Sequence, residues 1–466
     1  MEIDNKHSDG GVVLKKNKYE IDMCNGSIMN KLISFSLPLM LSGILQLMFN
    51  AVDIIVVGQF TGSEALAAVG STTALIAVFT NLFIGISLGA NVLAARFYAA
   101  GKHKEMSDTV HTSITLALIS GIVMAFAGLL FSRLALEIMA TPDNVIDQST
   151  LYMRIYFLGM PFFMLYNYGA AILRAVGDTK RPLLYLIISG LANAGLNMLL
   201  VIVFHMGVAG VAIGTIVSQF ISCVLVLRCL YCSDSSYQLR FSRLTIKGKY
   251  AEQIFQVGIP AGIQSTVINL SNALLQSSVN SFGSVAMAGY TAANNIFGFL
   301  YVSVNSVTQS CMSFTSQNYG VRKTKRMDRV LLDCAVLSFV FSFTLGCGAY
   351  FFGDKLLRLY TSDPDVIQCG IEILAYTTVP YFCCGIMDLI PGALRGMGHS
   401  GVPMILSIIG TVGTRIVWIF GSFPHHRSLS FLFISYPVSW TLTIVMQVIC
   451  FYFVRRKVHR NILTQR

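Results

Sequence analysis

Apolar residues come in long, nearly unbroken runs along this chain, and polar residues gather between the runs. Twelve runs stand out, at 32–57, 65–95, 109–132, 149–173, 183–204, 208–231, 251–280, 285–313, 330–352, 367–394, 402–422 and 430–454. Each is long enough to cross the hydrocarbon core of a bilayer as a helix, which takes about 20 residues. Backbone polar groups find no water there, and a helix satisfies them within one segment. Barrel strands need only about 10 residues, so these runs are too long for them. The predicted class is an all-α membrane protein with twelve transmembrane helices.

Composition agrees. Of the 466 residues 54% are hydrophobic and 12% charged, against about 25% charged in soluble proteins, and the mean hydropathy is +0.66. Residues 1–30 are polar and mixed in charge. They lack the basic start, apolar core and small-residue cleavage site of a secretory signal, so a cytoplasmic tail is expected. The net charge of +11 reflects loops, not a nucleic-acid-binding domain. With the N-terminus inside, 27 of the 33 Lys and Arg fall in inner loops and tails, counting Arg228 at the inner end of the sixth run, and 4 in outer loops. That bias predicts a multi-pass protein of the cell's inner (cytoplasmic) membrane with both termini cytoplasmic. Most of the 11 cysteines lie in apolar runs. Cys229 and Cys232 form a CxxC with no second pair or His cluster beside it, which reads as inert membrane thiols with no metal site.

The chain repeats itself. Pro38, Asn50 and Phe60 recur as Pro260, Asn272 and Phe282, each 222 residues on. After a one-residue slip, Gly62-Ser63 matches Gly283-Ser284, and LRAVGDTKRP (173–182) matches LRGMGHSGVP (394–403). Each half carries six helices, an even number, so both insert the same way round. Parallel repeats of this kind place substrate sites between the halves near mid-membrane. The division expected is a tail (1–30), an N-lobe (31–232), a cytoplasmic linker (233–250), a C-lobe (251–454) and a second tail (455–466).

One carboxylate, Asp53, sits in the otherwise apolar FNAVDIIVVGQF (49–60). Burying a charge in a bilayer costs roughly 2.5–3.5 kcal/mol even on the lenient insertion scale, so such acids mark function. Gln46, Asn50 and Asp53 are spaced i, i+4, i+7 and share one helix face. Asn193 and Asn197 do the same on the fifth helix. Such amides serve either a wet site or helix–helix bonding. A desolvated carboxyl takes up a proton more readily than one in water, and beside amide and hydroxyl oxygens it could instead ligate Na⁺. Pro38 removes an N–H from the first helix and supplies a hinge. Asp53 has Leu275 as its repeat partner and Asp388 has Asn167, so each lobe keeps one acid that its twin lacks. Asp388 reads either as a second ion or substrate site or as the partner of Arg415 or Arg395.

The sequence resembles the multidrug and toxic compound extrusion (MATE) family from about residue 30 to 455. The resemblance rests on Pro38, Gln46, Asn50 and Asp53 in the first helix, then Val57-Gly58 and the Gly62-Ser63 turn. The LRGMGHS element (394–400) and Arg415-x-x-Trp418 add to it. It implies a V-shaped bundle of two six-helix lobes. It also implies export of organic, often cationic compounds by alternating access, driven by inward H⁺ or Na⁺ and using no other cofactor. Carried over residue by residue, the N-lobe cation site falls on Asp53, on Asn193 and Asn197, and on Thr215. Asn197 stands where the family pattern has a second acid. The C-lobe acid of the family's seventh helix is missing, and Asp388 lies one turn from the expected position on the tenth. The expected partners are small organic molecules and membrane lipid, with no nucleic acid, and the chain is expected to act as a monomer.

Other readings are weaker. GMGHSG (396–401) fits a dinucleotide loop by spelling only, since it follows a membrane helix and no strand. No GxxxxGK[ST] occurs, so ATP is not the direct drive. GVAGVAIG (207–214) reads as a close helix-packing surface. A membrane-embedded enzyme would need an HExxH, paired acids or a Ser/His/Asp set within the helices, and none is spelled there. A flippase for a lipid-linked oligosaccharide or other amphiphile remains the alternative. It would want basic groups in its cavity, and the predicted helices contain only Arg154, Arg415 and, at the inner end of the sixth run, Arg228.

Overall fold

The computed structural model describes residues 19–139 and 141–464, and among them it contains helices and no strand. The first six spans are α1 (Ile28–Phe60), α2 (Ser63–Ala99), α3 (His103–Ile138), α4 (Asp143–Leu158) with α5 (Met160–Ala175), α6 (Lys180–Met198) and α7 (Gly207–Tyr231). The second six are α8 (Gly248–Asn280), α9 (Ser284–Gly320), α10 (Thr324–Phe351), α12 (Pro364–Thr378) with α13 (Tyr381–Gly396), α14 (Gly401–Ser407) running into α15 (Thr414–Val417), and α16 (Leu429–Thr464). A short α11 (Gly353–Leu357) follows α10. Among the described residues there are thus two sets of six long helical segments, and ten of the twelve are long and apolar enough to cross a membrane when each bent pair is taken as one span.

Two crossings are broken. The pair α4 and α5 bends by 47°, and α12 and α13 by 45°. The breaks fall at Gly159 and Pro380, 221 residues apart. Two crossings also contain wide π-helical turns, at Leu199–Val203 after α6 and at Ile408–Gly413 and Trp418–Ser422 around α15. The duplication extends to the backbone. Residues with positive φ recur at the same 221-residue interval: Gly62 (100°) with Gly283 (97°), Gly101 (66°) with Arg322 (58°), and Gly177 (96°) with Gly398 (86°).

The helices run further than the hydropathy runs suggest. Arg96, Arg174 and Arg395, read as loop residues from the sequence, are inside α2, α5 and α13. The final helix continues to Thr464, through most of the expected C-terminal tail. Polar side chains explain why α8 and α9, at 33 and 37 residues, are less apolar than the other crossings. These two helices face the N-lobe.

The lobes meet along one half of their facing surfaces. Gly85 and Gly89 of α2 press on Gly262 and Gly258 of α8. A Cβ added at Gly85 would come within 2.4 Å of the Gly262 Cα, and one at Gly258 within 2.4 Å of the Ile86 Cα. Among the described residues, three side-chain hydrogen bonds join the lobes: Ser36 with Ser310 (2.7 Å), Ser313 to Asn91 (3.0 Å) and Gln317 to the Ala175 carbonyl (2.7 Å). Arg96 stacks on Tyr319 at 4.5 Å. All of these lie toward the end of the bundle that carries both chain termini. Further along, a Cβ at Gly43 would still meet Val302, but one at Gly298 comes no closer than 3.8 Å to Leu47. Beyond that level no hydrogen bond links the lobes among the described residues.

The connection between lobes is packed down. Tyr237 and Leu239 are fully buried. Arg240 N–H donates to His111 Nε2 (3.1 Å), Lys247 N–H donates to the Thr112 hydroxyl (3.3 Å), and the Lys247 ammonium sits 2.6 Å from Asp108. All three anchors are on α3 of the N-lobe.

Candidate functional site

Asp53 lies in the last third of α1 and is partly buried. It faces α6, where Asn193 and Asn197 are one turn apart and both buried. The Asn197 amide donates to Asp53 Oδ1 and to Asn193 Oδ1 (2.8 Å). The Asn193 amide donates onward to Thr215 (3.5 Å) and Ser218 (3.4 Å) on α7, both at the long end of hydrogen-bond range. The structure thus brings Asp53, Asn193, Asn197 and Thr215 together. Three helices contribute, α1 from far away in sequence and the consecutive α6 and α7, and the carboxylate is the only charged group in this run of hydrogen bonds.

Two features give the cluster unfilled oxygen. Asn197 Oδ1 is buried and has no hydrogen-bond partner. Such a group costs about 1–3 kcal/mol, and it needs a reason. Gly214 provides its space: a Cβ there would stand 2.2 Å from Asn197 Oδ1. This is the packing role expected of GVAGVAIG. The oxygens of Asp53, Asn197 and Thr215 form a donor set suited to a hard cation or, at the carboxylate, to a proton. The π-helical turn begins two residues after Asn197, and such turns often occur at functional sites.

The rest of the predicted helix 1 face is separate. Gln46 and Asn50 are exposed, and no hydrogen bond among the described residues joins them to the cluster. Pro38 is buried, and α1 continues through it unbroken. Ser42 returns its hydroxyl to the Pro38 carbonyl (2.8 Å), a back-bond that favours bending of a helix. Sequence reasoning missed Ser218, and it missed Tyr152 and Tyr156 of α4, which lie within electrostatic reach of Asp53 and stack at 6.1 Å. The available signal was spacing: Ser218 follows Thr215 by three residues, and the two tyrosines are one turn apart.

The C-lobe corrects one expectation. Asp388 forms no ion pair with Arg415 or Arg395. Arg415, 3% exposed, donates to Asn272 (2.8 Å) and lies 4.3 Å over the Tyr436 ring, and its Nε has no partner. Arg395 donates to Gln264 (2.7 Å). Asp388 is partly buried and makes no hydrogen bond among the described residues, but Arg395 lies within electrostatic reach of it. The basic groups of the bundle also exceed those expected. Arg154 faces outward and is exposed, but Arg96, Arg174 and Arg395 join Arg415 inside the helices.

The MatE family model matches residues 38–200 and 260–420, one match per lobe. Among curated proteins, the chain is 28% identical over 442 residues to "Probable multidrug resistance protein YoeA" of Bacillus subtilis, covering 92% of this chain and 95% of that one. It is 24% identical to "Multidrug export protein MepA" of Staphylococcus haemolyticus, covering 91% and 92%. Among solved structures it resembles an outward-facing MATE family multidrug resistance transporter, with a TM-score of 0.88 at 19% identity over 96% and 100% of the two chains. A MOP superfamily transporter from Pyrococcus furiosus is similar, with a TM-score of 0.89 at 20% identity over 95% and 99%.

Proposed function

Because the chain belongs to the MatE family of transporters, we propose that it exports organic, cationic compounds across the cytoplasmic membrane by alternating access, and that uptake of H⁺ or Na⁺ at Asp53 drives it. It is a multi-pass membrane transporter and not an enzyme, as its family is. The observation that carries the coupling reading is the contact between Asp53 and Asn197, next to a buried oxygen with no donor.

The cycle follows from that geometry. An empty cluster holds Asp53 toward α6 through the Asn197 amide. A proton on Asp53 removes the charge that attracts this amide, and Na⁺ instead draws Asp53, Asn197 and Thr215 onto itself. Either event changes how the end of α1 sits on α6. Pro38 lets α1 bend in response, and the bend narrows the space between the lobes and displaces substrate. With the termini inside, contact between lobes at the terminus end makes this the outward-open state. The energy suffices: one charge through about 150 mV is worth roughly 3.5 kcal/mol, enough for about a 300-fold gradient at 1.4 kcal/mol per decade.

A second reading has one observation in its favour. Arg415, buried with no carboxylate beside it, suits the anionic head of an amphiphile, as a flippase for a lipid-linked oligosaccharide would require. Proteoliposomes separate the two. With a fluorescent cationic dye inside and pH or Na⁺ gradients imposed one at a time, the exporter moves dye against its gradient and Asp53→Asn abolishes this. Dye export by Asp53→Asn at the normal rate refutes the coupling role. Gradient-independent movement of a labelled lipid pyrophosphate, with no dye export, selects the flippase.

A further inference from the structure

The nine residues before α1 do more than enter the membrane. Tyr19, Glu20 and Ile21 grip the N-lobe side. The Tyr98 and Tyr237 hydroxyls each donate to one Glu20 carboxylate oxygen at 2.7 Å. Ile21 N–H donates to the Gly177 carbonyl at 3.3 Å. Gly177 must be glycine here, both for its φ of +96° and because a Cβ would stand 2.5 Å from the Ile21 carbonyl oxygen. The Arg181 guanidinium lies 5.7 Å from the Tyr19 ring.

Residues 23–26 grip the C-lobe. Met23 is fully buried in an apolar cluster with Val307, Phe314 and Leu337. Asn318 and Arg326 both donate to its carbonyl, at 3.1 and 3.2 Å. Arg326 reaches the Asn25 and Gly26 carbonyls as well, each at 3.0 Å. Lys323 donates to the Cys24 carbonyl (2.9 Å) and to Asn25 Oδ1 (2.8 Å). Between the two grips a turn is fixed in place: Asp22 accepts from Cys24 N–H (2.9 Å) and from the Asn25 amide (3.0 Å), while Lys31 caps the Asp22 and Asn25 carbonyls at 2.7 Å.

We propose that residues 19–27 form a latch across the terminus end of the bundle, which holds the lobes closed there and must release one of its two grips when that end opens. Its parts are bonded to different bodies, so the lobes cannot separate with both grips intact. Several of the bonds come from charged donors, which are the stronger kind, and Met23 plugs the seam between them. Glu20 and Arg326 are positioning residues for the alternating cycle. The inference rests on alternating access and not on the Asp53 assignment.

Thiol labelling tests it in full-length protein in nanodiscs, with no substrate and no ion gradient. Val92, 1% exposed, is clustered with Val257 and Met312 across the seam, whereas Val211 is fully buried inside the N-lobe. Each is replaced in turn, Val92→Cys and Val211→Cys, and modification by N-ethylmaleimide is followed peptide by peptide. Adding Glu20→Ala or Arg326→Ala should raise labelling at position 92 about tenfold and leave position 211 unchanged, with Arg326→Lys intermediate. Unchanged labelling at 92 overturns the latch. An equal rise at 211 also overturns it, because it means general loosening. Loss of dye export by Asp53→Asn bears on neither result.

Discussion

Asn197 gives both of its amide hydrogens away, one to the Asp53 carboxylate 144 residues earlier and one to Asn193. It is thus the link between the single acid of α1 and the polar face of α6. Removing it with Asn197→Ala leaves Asp53 in place with no donor. Gradient-driven dye export in proteoliposomes should fall about tenfold, since a hydrogen bond to a charged group is worth about 1.5–3 kcal/mol. The melting temperature should change little, because the substitution also removes the unpartnered Oδ1.

Asn197→Asp restores the acid that the family pattern has at this position. Two carboxylates would then share one site and cannot both stay ionised cheaply. The number of cations moved per cycle should rise. Reversal-potential measurements of dye export at fixed gradients read this directly, and an unchanged stoichiometry contradicts the assignment of this cluster as the ion site.

The glycine seam between α2 and α8 leaves no room for a methyl group. Gly85→Ala and Gly258→Ala should each destabilise the closed terminus end by about 1–3 kcal/mol, the usual cost of overpacking. Export should slow, and labelling at Val92→Cys should rise even with the latch intact. Gly348→Ala, where nothing lies within 4 Å of the new Cβ, is the control and should match the parent.

Asp178 is fully buried in the LRAVGDTKRP turn. It accepts the Lys180 and Arg181 N–H groups at 3.1 Å and pairs with the Arg181 guanidinium. Asp178→Ala leaves the Arg181 charge and two backbone donors unpartnered. A loss of about 3–5 kcal/mol is expected, as for other broken buried pairs, visible as a lower melting temperature in detergent. The repeat places His399 at the equivalent position, so no matching pair supports the C-lobe turn.

Arg415 holds Asn272 and stacks on Tyr436. Arg415→Lys keeps the charge but loses the planar stack and the fork. Stability should fall by about 1–2 kcal/mol. For an exporter of cations the affinity for dye stays the same; for the flippase reading the labelled lipid binds less tightly. Equilibrium binding of both probes to the variant distinguishes them.

Much of this architecture was legible in the residues. Long apolar runs have few solutions in lipid, so the number of crossings and their grouping into halves followed directly. The acid of α1 and the paired amides of α6 stood out because polar atoms are scarce in such runs. Helix ends were not legible. Arg96, Arg174 and Arg395 are half-buried on helices that hydropathy treats as ending before them. The breaks at Gly159 and Pro380 had glycine and proline as signals, but each sits inside a run that reads as continuous. The isolation of Asp388 from Arg415 depends on which face of α13 turns toward α15, and spacing alone does not give that. The latch was invisible because its residues are polar and resemble any tail.

The connection between lobes carries a mechanical consequence. From Tyr237 to Lys247 it is fastened to α3, so it supplies no slack. The fastening continues past Gly248 into α8, whose first turns place Tyr250, Ala251 and Ile254 in the apolar cluster of the N-lobe, with Tyr250 edge-on to Phe97. The tether between the halves is therefore a stiff strap with no spare length, and any shift of the C-lobe against the N-lobe has to be absorbed further along α8 itself.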